Sequence, residues 1–154
     1  MEASILVEPA ARVILRNRKV TQRGLVEFVA VLQKHVTKGR PFHCRITDDR
    51  ELRRLNREFL QHDYATDVLS FPCAPSAKER SVGDMAISVQ RAAVQAGEFG
   101  HSLREELQVL MLHGTLHLMG MDHETDGGAM ARAERRWRAE FGLPDGLIER
   151  ATSL

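Results

Sequence analysis

The stretch SLREELQVLMLHGTLHLMG, residues 102–120, decides how the rest of the chain is read. Ser102 followed three residues later by Glu105 has the form of a capping box, in which serine and glutamate side chains reciprocally satisfy free amides at a helix start. From Val109 to Met119 the segment is apolar nearly all round. The spacing therefore predicts a helix over about 103–119 that runs through the core. Gly120 ends it, because glycine readily takes the left-handed conformation that closes helices. Two histidines, His113 and His117, stand inside this apolar run. Four residues apart on a helix, they lie one turn above each other and present their rings to one point. Gly120 lets the backbone reverse, which gives His123 a route back to the same point. Buried imidazoles each need a polar partner, whereas one cation satisfies three ring nitrogens together. A metal site made of His113, His117 and His123 is the expectation. Zinc suits neutral imidazole and leaves a fourth position for water, as catalytic zinc sites do; nickel, copper and iron are the alternatives.

Working outward, the neighbouring segments alternate between helix and strand signals. Thr21 caps a helix carrying Leu25, Phe28, Val29, Leu32 and Val36, stopped at Gly39-Arg40-Pro41. Phe42 to Thr47 reads as a strand, and Asp48 caps a helix whose Leu52, Leu55 and Phe59 form an apolar stripe. Opposite that stripe, Arg50, Arg53, Arg54 and Arg57 form one cationic face. Residues 67–72 and 84–88 are strand candidates. Ser88 caps a helix containing Ala92, Ala93 and Ala96, with Gly97 and Gly100 marking its end. A last helix over about 127–141 buries Met130, Trp137 and Phe141. Residues 3–16, with Pro9 between two apolar triplets, read as one or two short strands broken by a turn. These elements make an α+β fold of about five helices and about four strands, with the metal site on a central buried helix.

Composition sets the frame for function. At 154 residues, 43% hydrophobic and 28% charged, the chain is expected to fold as a single domain over 1–154. A net charge of +1 gives no bulk attraction to a polyanion, so any such binding must come from local clusters. Cys44 and Cys73 are far apart and are expected to be reduced, buried thiols. No apolar run reaches membrane-spanning length and no leader is seen, so the expected location is the cytoplasm.

The ligand spacing matches the metalloprotease signature H-E-x-x-H-x-x-G-x-x-H at every ligand and at the glycine. The departure is Gly114, which stands where that enzyme keeps its glutamate base and has no side chain to move a proton.

The chain also resembles the YbeY family of bacterial rRNA-maturation endoribonucleases. The resemblance rests on Leu55-Asn56-Arg57-Glu58-Phe59, Asp63, Thr66-Asp67-Val68-Leu69-Ser70-Phe71-Pro72, Gly83-Asp84-Met85-Ala86-Ile87 and the block from His113 to His123. It implies a small mixed β-sheet, one zinc ion on the three histidines, and cleavage of single-stranded RNA in 16S rRNA 3′ end maturation and ribosome quality control. Expected partners are rRNA and the ribosome or proteins of its small subunit. Many relatives carry arginine after the aromatic residue of the Leu-Asn segment, where this chain has Leu60. Arg57 or His62 is then the candidate for its charge, and Asp67 for orienting a ligand or the attacking water. Asp122 and Glu124, beside the third histidine, are candidates for the same work or for capping the last helix. A metalloprotease and a non-catalytic zinc-containing ribosome assembly factor are the alternative functions.

Overall fold

The structure, a computed structural model, describes residues 5–60, 66–73, 80–122 and 125–152. Strands β1 (Ile5–Val7), β2 (His43–Thr47), β3 (Val68–Pro72) and β4 (Gly83–Ser88) form one mixed sheet in the order β1-β2-β4-β3. The first three in that order are parallel, with Ile46 opposite both Val7 and Ile87; β3 is antiparallel to β4, with Ser70 opposite Met85. Strand alternation sends Ile5, Val7, Cys44, Ile46, Met85 and Ile87 to one face and Leu69, Phe71 and Ala86 to the other.

The first face carries the main core. Against it lie α1 (Pro9–Asn17), α2 (Gln22–His35), α4 (Val89–Phe99) and α5 (Leu103–Leu118), contributing Leu15, Leu25, Leu32, Ala92, Leu110 and Leu116. On the other face α3 (Asp49–Leu60) packs Leu52 and Leu55 on Leu69 and Ala86. The caps form where the residue types demand. Thr21 Oγ1 accepts from the Gly24 amide at 3.0 Å, Asp48 Oδ1 from Glu51 at 2.9 Å and Ser88 Oγ from Arg91 at 3.2 Å. The Ser102–Glu105 capping box is complete, with both reciprocal bonds at 3.1 Å. Twelve of the sixteen residues of α5 are buried, as its all-round apolar sequence requires.

Three expectations are corrected. Residues 9–17 form a helix and not a second strand: Pro9 occupies the first turn, where its missing N–H costs nothing, and Ala11 and Leu15, four apart, face the core while Val13 is exposed. The helix α4 runs through Gly97 and closes at Gly100, which adopts the left-handed φ of 72°. Cys44 is buried, and burial pushes its thiol pKa up, but Cys73 is exposed. With α6 (Ala129–Phe141) and α7 (Leu147–Thr152), seven helices are present among the described residues, and α1 and α7 are the two that the sequence pattern does not disclose.

Candidate functional site

His113 and His117 project from the last two turns of α5 with ring centroids 4.9 Å apart and planes at 75°. Each ring has an acceptor at Nδ1. His113 Nδ1 lies 2.7 Å from Glu134 Oε2, and His117 Nδ1 lies 3.0 Å from the Met121 carbonyl oxygen. An acceptor in that place assigns the proton of a neutral imidazole to Nδ1 and the lone pair to Nε2. The Met121 carbonyl reaches its position because the chain turns back on itself after α5. Gly120, at φ 87°, donates its amide to His117 O at 2.9 Å, and Met121 donates to Leu116 O at 3.2 Å. The reversal expected at Gly120 is therefore present, and Met121 and Asp122 already line the same groove as the two histidines. His123 and Glu124 lie outside the described residues, as do His62 and Asp63. Among those described, no group of three metal-binding side chains is assembled.

Asp67 lines this groove with His113 and His117, at the entrance to β3, and its backbone carbonyl accepts from Ser88 N at 2.9 Å. Leu60, at the end of α3, and Leu147, at the start of α7, complete the walls. Arg57 is not part of it. It lines a separate groove with Arg50, Arg53 and Arg54, bordered by Asp48 and Glu51. At that second groove Arg54 pairs with Glu51 and, outside the lining, with Glu58 at 2.8 Å, while Arg45, also outside it, bridges Glu8 at 2.7 Å and Glu51 at 2.8 Å. Burial alone would raise the Glu51 carboxyl, yet hydrogen bonds from Arg54 and Arg45 outweigh it and hold the group below the usual carboxylate range. Arg50 and Arg57, both exposed, have no ion-pair partner among the described residues.

Gly114 sits between the histidines on the side of α5 that meets the sheet. A Cβ there would stand 3.0 Å from Met85 Sδ and 3.2 Å from Ser70 Oγ. The position has no space for a glutamate base, which argues against the metalloprotease alternative on packing as well as on chemistry.

Two contacts near the histidines escape a reading by residue type. Glu134 is buried on α6, and its position between Met130 and Trp137 on the apolar stripe was the available signal. The start of α6 is bonded by Asp126, whose Oδ1 and Oδ2 accept from Gly128 and Met130 amides at 3.1 and 2.9 Å. That is the capping work for which Asp122 and Glu124 were candidates. The donor chemistry fits a zinc ion: of the two imidazoles one is oriented by a buried carboxylate and one by a backbone carbonyl, the partners that metal-binding histidines ordinarily keep.

Known proteins bear directly on this arrangement. Residues 14–142 match the family model described as Endoribonuclease YbeY. Endoribonuclease YbeY of Solibacter usitatus is 54% identical over 143 residues, covering 92% of this chain and 95% of the relative. The Koribacter versatilis protein of the same name is 44% identical over 133 residues, 86% of each. Among solved structures, the solution structure of TM1509 from Thermotoga maritima superposes with a TM-score of 0.50 at 27% identity, covering 89% of each chain. From α1 through the sheet to the end of α6, this chain belongs to the Endoribonuclease YbeY family.

Proposed function

We propose that this protein is a single-strand-specific, zinc-dependent endoribonuclease of the cytoplasm, acting in 16S rRNA 3′ end maturation and in ribosome quality control. Membership of an endoribonuclease family supports RNA cleavage. The observation that carries the metal-dependent reading is the pair His113 and His117, both with Nδ1 engaged, in a groove shared with Asp67. His113, His117 and His123 would hold the ion. Zinc supplies Lewis-acid polarisation of a phosphoryl oxygen and activation of water near neutral pH.

The chain's own residues divide the remaining work. Asp67 orients the attacking hydroxyl or water from the groove wall and accepts its proton. Arg57 and Arg50, seven residues apart on one exposed face of α3, bind backbone phosphates away from the cleavage point. No helix among the described residues is long and apolar enough to cross a membrane. The ribosome or its small-subunit proteins are the proposed partners, delivering single-stranded rRNA to the groove.

The test is incubation of zinc-loaded protein with 3′-extended 16S rRNA fragments, with a duplex of the same sequence and a His113→Ala variant as controls. Cleavage confined to the single strand and lost in the variant is expected. Equal product from wild type and variant would overturn the reading. A cyclic phosphate on the upstream product would identify the ribose hydroxyl as nucleophile, and a 5′-phosphate on the downstream product would identify water.

A further inference from the structure

Glu134 is fully buried, and a carboxylate in that position is tolerated when its oxygens are satisfied. Its two oxygens meet two different donors. Oε2 accepts from His113 Nδ1 at 2.7 Å, and Oε1 accepts from the backbone amide of Ile148 in α7 at 2.9 Å. The chain closes tightly round the group, since a Cβ on Gly146 would fall 2.1 Å from Oε1. A side chain placed between two N–H groups must accept twice. Glutamine has the same length but one accepting oxygen and one donating amide, so it serves one partner at the expense of the other.

We infer that Glu134 is a positioning residue, which locks His113 in the Nδ1–H tautomer and ties that alignment to the docking of α7. The consequence for metal affinity rests on the zinc reading above; the tautomer itself does not. Further bonds hold α7 in place. Arg138 grips Glu149 through Nε at 2.8 Å and a terminal nitrogen at 3.1 Å, and Arg150 grips buried Glu106 through both terminal nitrogens, at 2.8 and 3.1 Å. Leu147, the first residue of α7, lines the histidine groove. The C-terminal helix is thereby part of the site and not an appendage to it. His117 provides an internal contrast, because a backbone carbonyl sets its tautomer and no substitution at 134 removes that oxygen.

The experiment records long-range proton–nitrogen spectra of the histidine rings in chelator-treated protein, then zinc affinity by competition with a chromophoric chelator, for wild type and Glu134→Gln. In wild type, His113 and His117 should both carry the proton on Nδ1. In the variant, with folding checked by circular dichroism, His113 should shift toward the Nε2–H form while His117 stays unchanged, and zinc should bind about 10–100-fold more weakly. A wild-type His113 protonated at Nε2 would overturn the inference even if the variant failed to fold. So would a folded variant with an unchanged tautomer and an affinity within about twofold of wild type. Wild-type protein that binds no zinc, yet keeps His113 in the Nδ1–H form, would remove the metal reading and leave the positioning of His113 standing.

Discussion

Ser70 Oγ donates to the carbonyl oxygen of Gly114 across 3.2 Å, which pins the edge strand β3 to the turn of helix between the two site histidines. The contact needs close approach, and a glycine permits it. Ser70→Ala should cost about 1 kcal/mol, the usual worth of one such bond. Gly114→Glu should cost about 3 kcal/mol or more, because a charged side chain would be driven against Met85 and the sheet. Urea denaturation measures both. The second variant should also show no peptide hydrolysis, although it restores the metalloprotease signature in letters.

Much of this arrangement is legible in the sequence because it is local. The Ser102–Glu105 box, the buried helix, the ring pair at positions four apart and the reversal at Gly120 each depend on neighbours within a turn or two. Glu134 is different. Its partner is 21 residues earlier in the chain, and a glutamate on a stripe with Met130 and Trp137 declares only that something must pair with it. The helix α1 is masked in the sequence by β-branched Val13 and Ile14, whose strand preference competes with the Ala11–Leu15 spacing that the core rewards. Arg57, three residues before Leu60, is likewise a candidate for charge at the site by sequence position alone. The direction of α3 places it in the neighbouring groove instead, and Leu60, three residues on, lines the histidine groove.

Metal should reveal itself in stability as well as in activity. Zinc at about 100 times its dissociation constant should stabilise the folded protein by about 2.7 kcal/mol. For a chain of this size, that corresponds to a rise in Tm of roughly 5–10 °C over the chelator-treated protein. Calorimetry should show the rise in wild type and its loss in His117→Ala. An identical Tm with and without zinc would contradict the three-histidine site.

The ion pair of Glu106 with Arg150 is buried at both ends, with His101 Nε2 2.5 Å from the same carboxylate and the Arg150 guanidinium 4.4 Å over the Phe99 ring. Removing Arg150 leaves the buried Glu106 carboxylate with His101 as its remaining side-chain partner among the described residues. Arg150→Ala should destabilise by about 3–5 kcal/mol, whereas the double change Glu106→Leu with Arg150→Met should recover most of that loss. Denaturation of the three proteins forms the comparison, and a double variant no more stable than the single one would show that the pair contributes more than mutual neutralisation.

Acid should loosen α7. The hydrogen bond from Arg138 holds the Glu149 carboxyl below its ordinary value of 4.5, against the opposing effect of burial. A depressed carboxyl contributes stability that is fully present above the unfolded value and is lost as pH falls through the lower, folded one. The pH dependence of unfolding below about 4.5 should therefore be shallower in Glu149→Gln than in wild type. Identical acid slopes would mean that the Arg138–Glu149 pair does not contribute to the docking of α7.

Leu60 tests the electrostatics of the groove from the opposite direction. It is 42% exposed, it lines the same groove as His113 and His117, and it follows directly on Phe59 at the end of α3. A cation there needs no backbone change, because the side chain already points into an open groove at the end of α3. Leu60→Arg should tighten binding of single-stranded RNA and steepen the dependence of log affinity on log salt by about 0.7, the slope of one added phosphate contact on a single strand. Arg57→Ala should reduce that slope by a similar amount, from its own groove. If the two changes act at separate phosphates, combining them should return the wild-type slope within error, since the substitutions add when their sites share no partner. A double variant that matches Arg57→Ala alone would mean that the strand does not pass Leu60 on its way to the histidines.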